Sequence, residues 1–265
     1  PWWPKARPFV DYLSRSSFLL QRGNFVADAL YYYGDGGYKF VGPRRNPPSL
    51  GPGFDYDVTN SDVILNRLGV RDGRLVLPDG TGYSLLVMPD SAEAHPDVLE
   101  KIEKLVAAGA TVVGPKPDRA VGLEGFPASE RRVREAATRL WGDLDGRSRR
   151  SRSHGKGQVV WGDSERDVLR SMKIEPDFVA SPSLDFIHRR DGGADIYFVR
   201  NRTAAPVRET ARFRVARREP EFWDPRTGEI RPAAVYRATA GFMEVPVALA
   251  PNGSVFVVFR RAARA

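Results

Sequence analysis

The chain contains no cysteine in its 265 residues. That excludes disulfides, thiolate metal sites and cysteine nucleophiles together. It has only three histidines, at 95, 154 and 188. They fall in separate elements without ligand spacing, so no metal site is expected and no cofactor is implied. No apolar run reaches the 18 residues of a membrane-spanning helix, so no membrane partner is expected. The chain opens on Pro1 with no leader pattern behind it and reads as a piece of something longer. Lysine is scarce as well. Seven lysines leave 34 of the 41 basic residues as arginine, within a net charge of +8. That skew fits a GC-rich coding sequence better than a nucleic-acid site.

What is present is ordinary for a folded chain, 42% apolar and 28% charged. The most telling stretch runs from 85 to 114. Leu85, Leu86, Val87 and Met88 form a buried-strand run that Pro89 and Asp90 end. Val98, Ile102, Leu105 and Val106 recur at helical spacing, Gly109 stops the helix, and 110–113 returns to strand. This spacing predicts a right-handed strand–helix–strand unit. Its first strand ends without a nucleophile or a phosphate loop, although that is where such folds keep their chemistry.

Around this unit, residues 9–23 read as a helix closed by Gly23, and 25–33 as an aromatic strand. Residues 34–57 read as an excursion loop. Thr59 or Asn60 caps a short helix, a hairpin surrounds Pro78-Asp79-Gly80, and 130–140 is a further helix. Residues 157–161 form a strand, and Asp163 or Ser164 caps a helix reaching Met172. Beyond Asp177 only short strands separated by turns remain, the pattern of an antiparallel β-sandwich. The expected fold is therefore α/β: a doubly wound, flavodoxin-like domain over 24–180, followed by a β-sandwich over 181–265. The helix within 1–23 lacks an evident partner. Tyr31–Tyr33 and the Trp2-Trp3 pair are expected to cover its apolar face.

Ser91 with His95 as base is a conceivable nucleophile pair. No G-x-S-x-G elbow surrounds Ser91, and capping explains it better. Asp55, Asp57, Asn60 and Asp62 are oxygen-rich but lack the glycine and terminal glutamate of a calcium loop. Residues 147–156, RSRRSRSHGK, would attract phosphate. They carry no interleaved aromatic, so a solvated, mobile and dispensable loop is expected rather than a nucleic-acid site. Asn201 and Asn252 stand in glycosylation sequons. Trp2 and Trp3, bounded by prolines, are the residues put forward for stacking on sugar. A sandwich face bearing Trp223 and Tyr236 is the other carbohydrate-binding option.

The order of segments then suggests a family. DYLSRSSFLLQRG, VADALYYYG, GFDYDVTNSDVIL, LVLPDGTGYSLLVMPD and KLVAAGATVVGPKP resemble, in that order, α-L-rhamnosidases of glycoside hydrolase family 106. IHRRDGGADIYFVRN, EFWDPRTGEI and SVFVVFR fit the terminal β module of such enzymes. The α/β domain is similar to glutamine amidotransferases without their cysteine, and to the middle domain of family 42 β-galactosidases. The resemblance implies that residues 1–23 hold the last helix of a catalytic barrel. It also implies a carbohydrate substrate for the parent enzyme, and secretion or a periplasmic location for it. Catalytic carboxylates would then stand on the barrel, so no residue here is assigned a catalytic role. An independent carbohydrate-binding module and a Ser91 esterase are the alternatives.

Overall fold

Strands that are apolar at every position have no side to offer water, so both faces of their sheet must be covered. Ala29–Tyr32, Leu85–Val87 and Thr111–Val113 are buried throughout. In the computed structural model, which describes residues 3–36 and 50–263, they lie at the centre of a six-stranded sheet. Its order is Ser151–His154, Gly157–Val160, Thr111–Val113, Leu85–Val87, Ala29–Tyr32, Tyr56–Thr59. Every pairing is parallel except that of the first strand. The two-residue period places Ala29, Tyr31, Leu85, Val87, Val113 and Val160 on one face, where Val168 and Leu169 of the helix Glu165–Ser171 close over them. Leu30, Leu86, Val112 and Val159 alternate with these and are equally buried.

The helix Pro96–Ala108 joins the two central strands. Pro96 starts it, Gly109 ends it at φ +128°, and Val98, Leu99, Ile102, Leu105 and Val106 are its buried stripe. Beside it packs Ala128–Trp141, tied across by Arg132 to Glu100 at 2.8 Å and Arg139 to Glu103 at 2.7 Å. Asn60 caps Ser61–Asn66 by accepting the Val63 N–H at 3.0 Å, and Ser164 caps Glu165–Ser171. These elements make Ala27–Glu175 one compact unit, a mixed α/β region built on a parallel sheet.

The basic segment departs from expectation. Ser151–His154 pairs antiparallel with Gly157–Val160 and forms the sheet edge. Asp145 accepts the N–H groups of Arg147, Ser148 and Arg149, and Arg150 reaches Asp163 at 3.0 Å. The segment is thus an ordered hairpin, not a free loop. Its strand alternates serine with arginine or histidine and carries no apolar residue, so no hydrophobic period announces it. A charged edge of this kind also resists pairing with another chain.

The second unit joins Pro1–Val26 to Pro176–Ala265. One antiparallel sheet runs Asn24–Phe25, Leu184–Asp191, Ala194–Asn201, Ser254–Ala262, Arg218–Trp223, Ile230–Pro232. The other runs Phe178–Val179, Val207–Phe213, Phe242–Leu249, Arg237–Thr239. Their inner faces meet in a sandwich core. Phe178, Phe186, Tyr197, Phe213 and Phe259 form its centre, with ring centroids 4.9–6.3 Å apart. Such pairs each add about 0.5–1.5 kcal/mol beyond burial.

The helix Arg7–Leu20 takes a different partner from the one expected. Leu19 packs on Ile196, Phe256 and Val258, with Leu20, Phe198 and Trp223 around them. Tyr12 meets Ser254 at 2.9 Å, and Asn24–Phe25 pairs with Arg189–Arg190. The reason lies in the strands. Phe256 and Val258 point away from the sandwich core that Val257 and Phe259 fill, so the sheet's outer face needs its own cover.

One polar group sits inside this unit. His188 is fully buried, with Nδ1 2.8 Å from Asp177 and Nε2 3.0 Å from Asp195. Tyr197 stacks on its ring and donates its hydroxyl to Asp177 at 2.9 Å. Arg214 and Arg190 complete the cluster. Burial works against charge on the imidazole, but the two carboxylates outweigh it and hold the His188 pKa above the ordinary 6.5. Burial likewise opposes ionisation of Asp177, yet His188, Arg214 and Tyr197 hold its pKa below the ordinary 3.8.

Two outcomes are expected. The folded state keeps Asp177 ionised where the unfolded chain would bind a proton, and keeps His188 protonated where the unfolded chain would release one. The cluster's stabilisation is therefore full between about pH 4 and 6.5 and declines on both sides. His188→Leu should remove the decline on the alkaline side and cost about 3–5 kcal/mol at pH 5, because it takes the buried cationic partner from two carboxylates and leaves each with only an arginine nearer the surface. Urea melts of both chains at pH 5 and pH 9 check this. Separately, deleting residues 148–153 should lower the melting temperature, since it removes a paired strand; an unchanged melt would return the segment to loop status.

Candidate functional site

In a parallel sheet the strand order reverses at one place, and a crevice opens there at the carboxyl ends of the strands. Here the reversal falls between Ala29–Tyr32 and Leu85–Val87, the first and third strands of the sheet in chain order. Past the first strand, the Tyr32 hydroxyl donates to Asp35 and lies 3.2 Å from Ser61, whose hydroxyl also donates to Asp35. Burial, then the Asp35 carboxylate, push the Tyr32 pKa far up, so the phenol stays a donor and cannot serve as a base. Past the third strand, the Ser91 hydroxyl accepts the Glu93 N–H at 3.1 Å. His95 stands at the N-cap position of Pro96–Ala108 without a capping bond, and its Nδ1 is buried with no partner. No hydrogen bond joins Ser91 to His95 among the described residues. Ser91 holds a turn, so a nucleophile–base pair is not assembled.

The acidic cluster divides in the same way. Asp57 accepts from Tyr83 at 2.9 Å, Asn60 caps, Asp62 accepts from Asn66, and Asp55 is buried. No group of three or more potential metal ligands is found among the described residues. The histidine flanked by two aspartates would suggest chemistry, but it is sealed in the sandwich core. Asn201 is also buried, its amide donating to Ala205 and Ala250, so its sequon is spent on structure.

Trp2 lies outside the described residues. Trp3 is exposed on the turn Trp3–Lys5. Trp223 and Tyr236 do not share a face: Trp223 joins the helix-covered outer side of its sheet, whereas Tyr236 packs against the inter-sheet core.

Trp223 instead borders a cavity of about 390 Å3 between the helix Arg7–Leu20 and the turn after its own strand. Phe18, Leu19, Ile230 and Phe256 line it with Trp223, and Ser14, Arg15, Asp224 and Glu229 bring polar groups. The turn is built by its sequence. Arg226 N donates to Asp224 Oδ1 at 2.8 Å, Gly228 adopts φ +81°, and Asp224 N closes on the Glu229 carbonyl at 2.9 Å. Arg15 fastens the turn to the helix through the carbonyls of Pro225 and Arg226 at 3.1 and 2.8 Å. The indole is fixed from behind. Its N–H donates to Glu221 at 2.9 Å, and the Arg260 guanidinium sits 5.2 Å over its ring while also bonding Glu221. Sequence reading named Trp223 but missed Arg15, Phe18 and Glu229, because only the tertiary contact brings residues 14–19 to residues 223–230. A tryptophan at a strand end before an Asp-Pro turn was the one local signal.

The sequence model of the glycoside hydrolase 106 family, described as alpha-L-rhamnosidase, matches residues 1–238. The structure of a rhamnosidase from Novosphingobium sp. PP1Y superposes on the whole chain with a TM-score of 0.85 and 33% identity, using 25% of that protein's chain. A "Putative beta-glucuronidase" of Formosa agariphila is 34% identical over 99% of this chain and 22% of its own length. The chain therefore spans about a quarter of the length of these relatives. Gan42B, a GH42 beta-galactosidase from G. stearothermophilus, shares the fold at a TM-score of 0.55 and 13% identity, over 93% of this chain and 42% of its own.

With Ser91 holding a turn, Ser91→Ala should cost about 0.5–1.5 kcal/mol for its single hydrogen bond. Any hydrolysis of p-nitrophenyl acetate should be the same in both chains. A variant that loses esterase turnover while staying folded would restore the nucleophile reading.

Proposed function

Since the chain belongs to glycoside hydrolase family 106, the alpha-L-rhamnosidases, we propose that it is an accessory region of a carbohydrate-active hydrolase. The whole enzyme cleaves O-glycosidic bonds, with α-L-rhamnosides as substrate. The observation that carries this reading is the likeness to one quarter of a rhamnosidase along this chain's entire length. Glycoside hydrolysis by the usual route needs two carboxyl groups flanking the scissile bond across an open cleft. Of the carboxylates described above, Asp177 and Asp195 are committed to His188, Glu221 to Trp223 and Arg260, and Asp224 to Arg226, so Glu229 has no second unengaged carboxylate beside it at the open cavity. The work of this region is thus to brace the catalytic domain of the same enzyme and to shape the approach to it.

Within that reading the α/β unit is a doubly wound, amidotransferase-like domain that has lost its chemistry. Its strand order of second, first, third, fourth and the complete lack of cysteine support this. Trp3, exposed on the turn before the first helix, is a residue on which a sugar could stack.

The isolated chain should show no turnover of p-nitrophenyl α-L-rhamnoside, and the full-length enzyme containing it should show turnover. Hydrolysis by the isolated chain at a rate near that of the full enzyme would overturn the accessory role. Inactivity of the full enzyme on every rhamnoside tried would overturn the substrate.

A further inference from the structure

We propose that the cavity beside Trp223 seats one neutral pyranose ring of an oligosaccharide. The proposal rests on the carbohydrate reading above and gives it a place in the helix–sandwich unit.

A pyranose is two-sided, with C–H bonds on its faces and hydroxyls around its edge. The cavity is two-sided in the same sense. Trp223, Phe18, Ile230 and Phe256 supply apolar wall, and Ser14, Arg15 and Glu229 supply polar groups. Its 390 Å3 lies within the roughly 300–1,000 Å3 typical of small-molecule sites. Phe18 and Ile230 are 64% and 52% exposed, although they flank one concavity from elements some 200 residues apart. Large apolar side chains left open together in a concave setting mark binding surfaces more than packing.

The polar groups are available. Neither the Ser14 hydroxyl nor the Glu229 carboxylate is engaged by a side chain or backbone group among the described residues. Arg15 uses only Nη1 on the turn, which leaves Nε and Nη2. Charge points to a neutral occupant: Arg226 already balances Asp224 at 3.0 Å, and the remaining charged lining residues, Arg15 and Glu229, are one of each sign. The indole needs no reordering, because Glu221 and Arg260 hold it in place before any ligand arrives, and a preordered wall costs less on binding.

The test is a 15N-correlation titration of the intact chain with L-rhamnose, with D-glucuronate as the charged comparison. Saturable shifts are expected at the Trp223 indole N–H and the Gly228 amide, with weaker response to glucuronate. Phe18→Ala and Glu229→Gln alter exposed side chains and should leave the fold intact while weakening rhamnose binding at least threefold. Trp223→Ala should abolish it; if that variant does not fold, the two rim variants decide. No saturable shift, equal affinity in both rim variants, or preference for glucuronate would overturn the proposal. So would concentration-dependent changes at these resonances without sugar, which would make the cavity a contact between copies. Hydrolysis by the isolated chain would sink the accessory role without moving these shifts, so the two failures are separable.

Discussion

A sheet that is apolar on both sides must be covered twice, and the second unit is organised around that demand. Ser254–Ala262 lies at its centre, with Val257 and Phe259 facing one way and Phe256 and Val258 the other. The four-stranded sheet answers the first pair. Among the described residues no strand answers the second, and a helix some 240 positions earlier in the sequence does. Because a cylinder laid on a twisted sheet touches it along a line, space remains beside the contact. Trp223, Ile230 and the Asp224–Glu229 turn border that space. The cavity is thus a by-product of how the apolar surface is buried, with side chains at its margin that suit a sugar.

Polar groups in this chain are mostly structural. His188 with its two aspartates has the composition of a catalytic site and none of the access. Its partners are complete: both ring nitrogens are engaged, and Tyr197 covers its face. A buried ion cluster of this kind is weak evidence for net stability, because an apolar replacement of the whole set could do as well. Removing one member is what costs. The Ser91–His95 region shows the same economy, in which a residue type that could do chemistry is occupied with closing a turn.

The parts legible in the sequence were those governed by local periodicity. Leu85–Val87, Pro96–Ala108 with Gly109 behind it, and Thr111–Val113 follow directly from apolar spacing and a glycine stop. The family order of segments was legible too, since it is linear. Three features were not. Ser151–His154 is a strand because its neighbour offers backbone partners, and its own side chains say nothing of it. The docking of Arg7–Leu20 depends on an outer sheet face contributed by residues about 180 to 240 positions later. The Trp223 cavity depends on that docking. Each of these is set by long-range contact, where single-sequence patterns are silent.

The second unit is discontinuous in the chain, since Pro1–Val26 and Pro176–Ala265 belong together while Ala27–Glu175 is self-contained. Synthesis on the ribosome therefore meets the two units in unequal states. The α/β unit has all its strands once residue 175 has emerged and can fold while translation continues. Within this region the helix Arg7–Leu20 is made before the strand Ser254–Ala262 on which it packs, which follows close to 240 residues later. For that interval Leu19 lacks the Phe256 and Val258 surface it will pack on. The order of manufacture thus runs opposite to the order of need.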